Sequence, residues 1–348
     1  MHTLNRFQEL DAIRGLAALS VLLFHFTSYQ KVKEVGFHFT YGVTGVDIFF
    51  MISGFVIFLT INKTKKWQDF VVSRFSRLYP TYWACVTLTG IFILIYQPST
   101  FSISQFAANL TMFPAYFGEE DLDGTYWTLL IELLFYFWIL IIFIFNGLKR
   151  IIPIALCCTI GIMLFHYFAA WYPNFYWFAG KKLQLINHFP LFFSGILFYK
   201  MKVNGFSLKY LLLITLCFLS TFYLHDKGGR SYQMISLLEH QWIILLYHVI
   251  FFLFVYGKLT FLIRKPLLYL GKISYSLYLL HQFIGLQLIG TFHESLHLHI
   301  YAAMALSILV CIGLADFITR YIEKPAIDHI RNWYKNKEKA TSAFNITE

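Results

Sequence analysis

Apolar runs of about 20 residues, the length at which a helix crosses roughly 30 Å of hydrocarbon, recur from residue 10 to residue 320. Hydrophobic residues make up 58% of the chain and charged residues only 13%, so too few polar side chains remain to cover a surface facing water. A soluble fold is therefore excluded. The runs predict an all-α, polytopic membrane protein in which about ten transmembrane helices surround a polar cavity.

The ten predicted spans lie near 10–29, 42–61, 79–97, 125–145, 151–172, 184–200, 207–224, 238–257, 267–290 and 300–320. Pro80 suits the first turn of the third span. The apolar stretch 101–117 contains Asn109 and Pro114, and we expect a half-buried or re-entrant segment there, because an irregular backbone cannot satisfy its polar groups in lipid. We predict a single membrane domain over 1–335 and a short polar cytoplasmic tail over 336–348.

The positive charges are distributed unevenly between the two sides of the predicted bundle. Most of the 28 Lys and Arg residues, Arg6 among them, face the cytoplasm if the N-terminus is inside. This is the positive-inside pattern, so we expect both termini in the cytoplasm and a position in the inner (plasma) membrane. The net charge of +10 then reflects topology and contact with membrane lipid, and we expect no nucleic-acid partner.

The first span carries a polar stripe. At about 100° per residue, Arg14 and His25 lie within about 20° of the same helix face and about 16 Å apart along the axis. Asp11, three residues before Arg14, joins that face. Ionisable groups inside a bilayer usually mark a functional path. The alternative is a local ion pair between Asp11 and Arg14, with His25 hydrogen-bonded inside the bundle.

The second and fourth spans add further polar groups. Asp47 and Ser53 interrupt the second span, whose glycines suit close helix packing. Asp47 needs a partner, because an unpaired carboxylate is strongly disfavoured in an apolar environment. Glu132 in the fourth span either pairs with a cation or takes part in proton transfer. Trp127 offers a surface on which a sugar can stack, although an interfacial aromatic belt also explains it.

Basic residues follow the second span: Lys63, Lys65, Lys66, Arg74 and Arg77. Anchoring of the topology and contact with anionic lipid account for all five. Arg74 and Arg77 are three residues apart on a predicted interfacial helix, however, and this spacing also lets them hold one phosphate group together.

The ninth span contains a second polar stripe. Tyr278 and His281 share a face with Ser274, and Tyr275 lies beside them. The histidines in the loop 293–299 have no cysteine or well-placed carboxylate near them, so we expect no metal site.

Five blocks of the sequence resemble one family. The stretch LDAIRGLAALSVLLFHF resembles the Arg-x10-His signature of the integral-membrane acyltransferase family 3, which O-acylates carbohydrates and other hydroxyl-bearing surface molecules. The stretches GVTGVDIFFMISGFVIF, RFSRLYPTYW, YWTLLIELLFYF and ISYSLYLLHQF resemble further blocks of the family and occur in its order. The resemblance covers nearly the whole chain. We expect no fused C-terminal hydrolase-like domain of the kind that many relatives carry.

The resemblance implies an O-acetyltransferase. It would move an acetyl group from cytoplasmic acetyl-CoA, its co-substrate, to a hydroxyl of a cell-surface polysaccharide or lipid-linked glycan, without a metal. Arg14, Arg74 and Arg77 would hold the phosphates of the donor. His25 would act as a general base on the acceptor hydroxyl or take the acyl group itself.

Supporting roles are assigned on the same basis. Glu132, the second predicted catalytic residue, would orient His25 or bind the acceptor, since Asp11 lies about 21 Å from His25 along the helix. The remaining predicted supporting residues are Asp11, Asp47, Ser53, Trp127, Tyr275, Tyr278 and His281. A transporter or flippase for a glycan or lipid is the alternative function, because it also needs a polar path through a helical bundle.

Overall fold

Helices dominate the described part of the chain. The structure, a computed structural model, describes residues 7–29, 32, 36–228 and 231–344, and no strand occurs in those ranges. The α-helices are α1 (Gln8–Thr27), α2 (Gly45–Ile61), α3 (Trp67–Tyr96), α4 (Ile103–Leu110), α5 (Trp127–Ile144), α6 (Ile151–Tyr167), α7 (Pro173–Lys182), α8 (Leu185–Asn204), α9 (Leu208–Leu224), α10 (Leu237–Val255), α11 (Lys265–Leu280), α12 (Phe283–Gly290), α13 (Ile300–Ile318) and α14 (Lys324–Phe344). Arg6 and the last four residues of the predicted tail, 345–348, lie outside the described residues.

The helices include segments of membrane-spanning length. Within the described ranges, seven are long and apolar enough to cross a bilayer: Gln8–Thr27, Thr40–Ile61, Trp67–Tyr96, Trp127–Ile144, Gly147–Tyr167, Leu237–Val255 and Ile300–Glu338. The predicted all-α membrane fold is therefore confirmed. The other three predicted spans correspond to α8, α9 and the pair α11 and α12. Helix α9 has only 17 residues, and polar residues such as Asn187 and His188 lower the mean hydropathy of α8. The count of ten stays a prediction.

Helix α3 differs from the predicted third span. It begins at Trp67, so the predicted interfacial helix and the span that follows are one continuous helix of 30 residues. Pro80 lies inside this helix, and its prediction as a first-turn residue is wrong. A proline inside a membrane helix is tolerated where neighbouring groups satisfy the backbone that it frees. The continuity matters for the site, because it fixes Arg74 and Arg77 rigidly to the bundle.

The predicted ninth span, 267–290, is not one helix. It breaks at His281 and Gln282, between α11 and α12. No Gly or Pro stands at these two positions, so the sequence carries none of the usual signals for a break. A contact from another part of the chain stabilises the break: the Asp123 carboxylate accepts a 2.8 Å hydrogen bond from the backbone N–H of Phe283.

Glycines bring the inner helices close together. Helix α1 packs along α11, and α2 packs along α8. A Cβ at Gly15 would overlap the backbone of α11 at Gly271, and a Cβ at Gly54 would overlap the carbonyl of Phe192 in α8. Gly195 meets the backbone of α2 in the same way. The predicted packing role of the second-span glycines is confirmed at Gly54, and the close approach holds the polar face of α1 against α11.

The apolar stretch 101–117 is irregular, as its sequence predicts. It forms the short helix α4 and a 3₁₀ turn over Pro114–Phe117. Asn109 is fully buried, donates to the carbonyl of Glu120 at 2.9 Å and accepts from the N–H of Leu122 at 3.0 Å. These bonds hold the start of the following loop, which ends in Asp123 and leads into α5.

Candidate active site

A cavity of about 510 Å³ opens into the bundle between α1, α2, α3, α5, α11 and α14. Six cationic side chains line one end of it, which we call the basic end: Arg14, Arg74, Arg77, Lys272, Lys324 and Arg331. The carboxylates on the wall are those of Asp11, Glu132 and Glu323. The described wall therefore has more cations than carboxylates. Charges withdrawn from water need counter-charges, so the basic end suits an anionic ligand.

Two helices organise the basic end. Arg74 and Arg77 lie one turn apart on α3, and the buried Nε of Arg74 has no hydrogen-bond partner among the described residues. Arg331 reaches α3 from α14: its Nε donates to Ser76 Oγ at 3.2 Å, and its Nη2 donates to the carbonyl of Ser73 at 3.4 Å. Arg331 was not among the predicted site residues, because it was counted only as one of the cytoplasmic charges. Its spacing of seven residues from Lys324, two helix turns, was the available signal.

A polar ladder on α5 continues from the basic end into the bundle. Tyr136, Glu132 and Thr128 follow at intervals of four residues, so they share one face and are about 6 Å apart along the axis. Oε1 of Glu132 accepts a 2.6 Å hydrogen bond from the Tyr136 hydroxyl and a 2.7 Å bond from the Ser53 hydroxyl. Glu132 thus holds two hydroxyls on the cavity wall, and its role in catalysis or acceptor binding stays a prediction.

Tyr278 lies at the far end of the cavity. Its hydroxyl shares a 2.9 Å hydrogen bond with Thr128, and Phe49 meets its ring edge-on at a centroid distance of 5.8 Å. All three residues line the cavity. Tyr275, also on the wall, donates to the carbonyl of Leu78 at 3.2 Å and so connects α11 with α3.

Beyond Tyr278 are the two histidines of the polar stripes. The ring of His281 lies 5.7 Å from that of Tyr278 and 5.1 Å from that of His25. Neither histidine lines the cavity. His281 is fully buried, whereas His25 is partly exposed. The structure therefore brings together two imidazoles, which we call the imidazole pair, from the first and ninth predicted spans.

Two predicted supporting residues lie elsewhere. Asp47 meets the partner that its burial requires in His240, whose Nε2 lies 3.1 Å from Oδ2 of the carboxylate. The Nδ1 atoms of His240 and His225 are 2.9 Å apart. Trp127 is buried, with its ring 5.7 Å from that of His188, so it belongs to the interior and not to an exposed aromatic belt. The rule that selected His25, an imidazole within an apolar span, would also have selected His240.

Comparison with known proteins agrees with this architecture. The family model Acyl_transf_3, described as an acyltransferase domain, matches residues 7–316. The exopolysaccharide production protein ExoZ of Rhizobium meliloti (strain 1021) is 29% identical over 107 residues, which are 30% of this chain and 33% of that protein. The peptidoglycan O-acetyltransferase OatA of Listeria monocytogenes is 27% identical over 96 residues, 26% of this chain and 14% of that protein.

A third relative, nodulation protein 10 of Rhizobium leguminosarum bv. viciae, is 24% identical over 160 residues, 39% of this chain and 44% of that protein. The chain thus spans less than half the length of each of these relatives. No solved structure matches it. The family match, in contrast, extends over most of the described helices, and the chain belongs to the acyltransferase 3 family of membrane acyltransferases.

Proposed function

We propose that this chain is a membrane O-acetyltransferase that moves an acetyl group from cytoplasmic acetyl-CoA to a hydroxyl of a cell-surface polysaccharide or lipid-linked glycan. The observation that carries the proposal is a cavity that runs from a cationic end to Tyr278, whose ring lies 5.7 Å from that of His281. Family membership supports acyl transfer. The names of two relatives, an exopolysaccharide production protein and a peptidoglycan O-acetyltransferase, support a glycan acceptor.

The basic end binds the donor in this proposal. The pyrophosphate and 3′-phosphate of coenzyme A are compact anions, and guanidinium groups hold phosphates through paired, charge-assisted hydrogen bonds. Arg14, Arg74 and Arg77 line the same end of the cavity, which supports this role, and we assign it to Arg331 as well because it lines the cavity beside them. The pantetheine arm then extends past Glu132 towards Tyr278, which brings the thioester near the imidazole pair.

His25 is the general base in this proposal. The acceptor hydroxyl oxygen attacks the thioester carbonyl carbon, a new C–O bond forms and the C–S bond breaks. The imidazole of His25 takes the hydroxyl proton and returns it to the leaving thiolate, so the products are the ester and free coenzyme A. A hydroxyl is a weak nucleophile at neutral pH, and a positioned base accelerates such a step by about 10²- to 10⁴-fold. Transfer through an acyl-imidazole on His25 is the second form of the mechanism.

The test uses the full chain in lipid nanodiscs. Acetyl-CoA is added with and without a surface-glycan extract, and free thiol and acetylated glycan are followed by colorimetry and mass spectrometry. We expect glycan-dependent thiol release, and weaker acetyl-CoA binding in Arg14→Ala. The control is Arg320→Ala, because Arg320 pairs with Asp316 at 2.7 Å and lies outside the cavity wall.

If acetyl-CoA neither binds nor loses its acetyl group with any glycan extract, the proposal is overturned. That result would favour the transporter or flippase, which needs no acyl donor. Mass spectrometry of surface glycans from cells with and without the protein identifies the acceptor and the acyl group together. Accessibility labelling of a cysteine placed in α14 tests the proposed cytoplasmic side of the inner membrane.

A further inference from the structure

Hydrogen bonds at the end of α11 hold the neutral ring of His281 in one tautomer. Its Nδ1 lies 2.9 Å from the carbonyl oxygen of Tyr278 and 3.2 Å from that of Leu277. A carbonyl oxygen only accepts hydrogen bonds, so Nδ1 must carry the proton. In the neutral ring the lone pair is then on Nε2. This atom is buried and has no hydrogen-bond partner among the described residues.

The neutral ring is the form that this environment favours. His281 is fully buried, and an imidazolium there would leave a charged N–H without an acceptor. A neutral Nε2, in contrast, is an acceptor with no donor. Unsatisfied polar atoms of this kind are rare in folded proteins, and they call for a partner that arrives or moves in a functional state.

The break that holds His281 is itself built firmly. Asp123 is buried, and its Oδ1 accepts from the N–H of Thr125 at 2.8 Å, while its Oδ2 accepts from Phe283. Gly124 lies so close to the Gln282 side chain that a Cβ there would come within 2.7 Å of the amide. The loop after Asn109 is therefore attached to the two residues that follow His281, at the end of α11.

The imidazole pair is within reach of a hydrogen bond. Another pair in the same bundle gives the scale: the rings of His225 and His240 have centroids 4.8 Å apart, and their Nδ1 atoms are 2.9 Å apart. The centroids of His25 and His281 are 5.1 Å apart. At this separation of the ring centres, a nitrogen of His25 can form a hydrogen bond with Nε2 of His281, as the nitrogens of the other pair do. Catalytic hydrogen bonds often tighten only when substrate is bound.

We infer that His281 is the positioning residue of His25. Its Nε2 accepts the N–H of one His25 nitrogen, so that the other His25 nitrogen presents its lone pair to the acceptor hydroxyl. When His25 takes the hydroxyl proton, the imidazolium is stabilised by the same bond, which becomes charge-assisted. The inference rests on the proposed function, and it fills the role for which Asp11 is too distant and for which Glu132 is already bonded to Ser53 and Tyr136.

Two amide substitutions separate this role from a purely structural one. In His281→Gln the side-chain amide reaches the place of Nε2 and offers an oxygen to His25. In His281→Asn the amide reaches only the place of Nδ1, so it preserves the bond to the Tyr278 carbonyl and removes the acceptor. Positioning of His25 predicts that the Gln variant is the more active. A role limited to closing the helix break predicts the opposite order.

The experiment measures kcat, KM for acetyl-CoA and acetyl-CoA binding for both variants in nanodiscs. We expect His281→Asn to lose about 10²-fold in kcat with unchanged donor binding, and His281→Gln to retain more activity. In a His25→Ala background, His281→Asn should cause no further loss, because residues that act as a unit are not additive. An Asn variant at least as active as the Gln variant overturns the inference while the acyltransferase proposal stands.

An inactive wild type and variants that do not fold also have defined consequences for the inference. If the wild type does not transfer an acyl group from acetyl-CoA, both proposals fail together. If the variants do not fold, ¹⁵N solid-state NMR of the wild type with bound coenzyme A replaces them. A protonated Nδ1 on His281 and an N–H···N coupling between the two rings support the inference, and an unprotonated Nδ1 or no coupling overturns it.

Discussion

The basic end of the cavity and the imidazole pair differ in charge and in burial. The basic end has six cations against three carboxylates on the described wall, and Lys324 there is exposed. At the imidazole pair, His281 is fully buried, and the nearby carboxylate of Asp123 is already occupied by backbone and hydroxyl donors. One region carries an excess of charge, and the other presents a neutral lone pair.

In the proposed function, this difference separates donor binding at the basic end from acyl transfer at the imidazole pair. An excess of positive charge attracts an anion and stabilises the donor equally in the ground state and in the transition state. A neutral nitrogen in an apolar site contributes little to binding but is available when a proton is released. Substitutions at the basic end should therefore change KM for the donor, and substitutions at the imidazole pair should change kcat.

The largest effect is expected at His25. We predict that His25→Ala lowers kcat by about 10²- to 10⁴-fold and leaves acetyl-CoA affinity unchanged, because the ring is the base of the proposed mechanism but does not line the cavity. Initial rates of thiol release and equilibrium binding of acetyl-CoA measure the two quantities. His225→Ala is the matched control, an imidazole from the other histidine pair, and should keep wild-type kcat. Equal losses of kcat in the two variants would show that the imidazole pair has no catalytic role that the pair of His225 and His240 lacks.

A smaller loss is expected at Asp123. Its carboxylate caps α12 at Phe283, so Asp123→Ala frees the break and lets His281 move. A displacement of about 1 Å at a catalytic group costs about 10²-fold in rate, and loss of a cap costs about 0.5–2 kcal/mol in stability. Turnover and the melting temperature report both changes. Glu120→Ala, an exposed neighbour in the same loop, should alter neither. Unchanged turnover in Asp123→Ala would show that the break does not position the imidazole pair.

Some of these residues could be predicted from the sequence, and others could not. The angular spacing of Arg14 and His25 places them on one face because both are in a single regular helix, where about 100° per residue holds over several turns. The need of Asp47 for a partner followed from the high cost of burying an unpaired carboxylate, and the structure shows that partner in His240. These inferences rest on the periodicity of a helix or on the cost of burying a charged group in an apolar span. Both can be judged from the sequence alone.

The break at His281 depends on long-range contacts instead. The residues at 281 and 282 favour no break, and Asp123 stands more than 150 residues earlier, in an acidic loop with no sequence signal that connects it to α12. Arg331 was missed for a similar reason, since its contacts with α3 join segments 255 residues apart. Pro80 shows the converse, because a strong local preference for a first turn was overridden by the continuity of α3.

At the basic end, Arg331→Ala should reduce acetyl-CoA affinity by about tenfold, since a hydrogen bond to a charged group contributes about 1.5–3 kcal/mol and this side chain is only half-buried. We expect kcat at saturating donor to stay at the wild-type value. The loss should shrink as salt rises from low to physiological concentration, because screening weakens exposed charges. Lys335→Ala, one turn further along α14 and exposed, is the control. A fall in kcat instead of affinity would contradict the division between the two regions.

The smallest effect is expected at Ser76, which is buried and never meets the donor in the proposal. Its hydroxyl accepts the 3.2 Å hydrogen bond from Nε of Arg331, so Ser76→Ala frees a guanidinium without removing its charge. A lost hydrogen bond of this kind is worth about 1 kcal/mol, or about fivefold in affinity. Because Ser76 acts only through Arg331, its substitution in an Arg331→Ala background should change acetyl-CoA binding no further. An additive loss in that double variant would mean that Ser76 contributes to the cavity by another route, and the basic end would then depend on the packing of α3 as well as on charge.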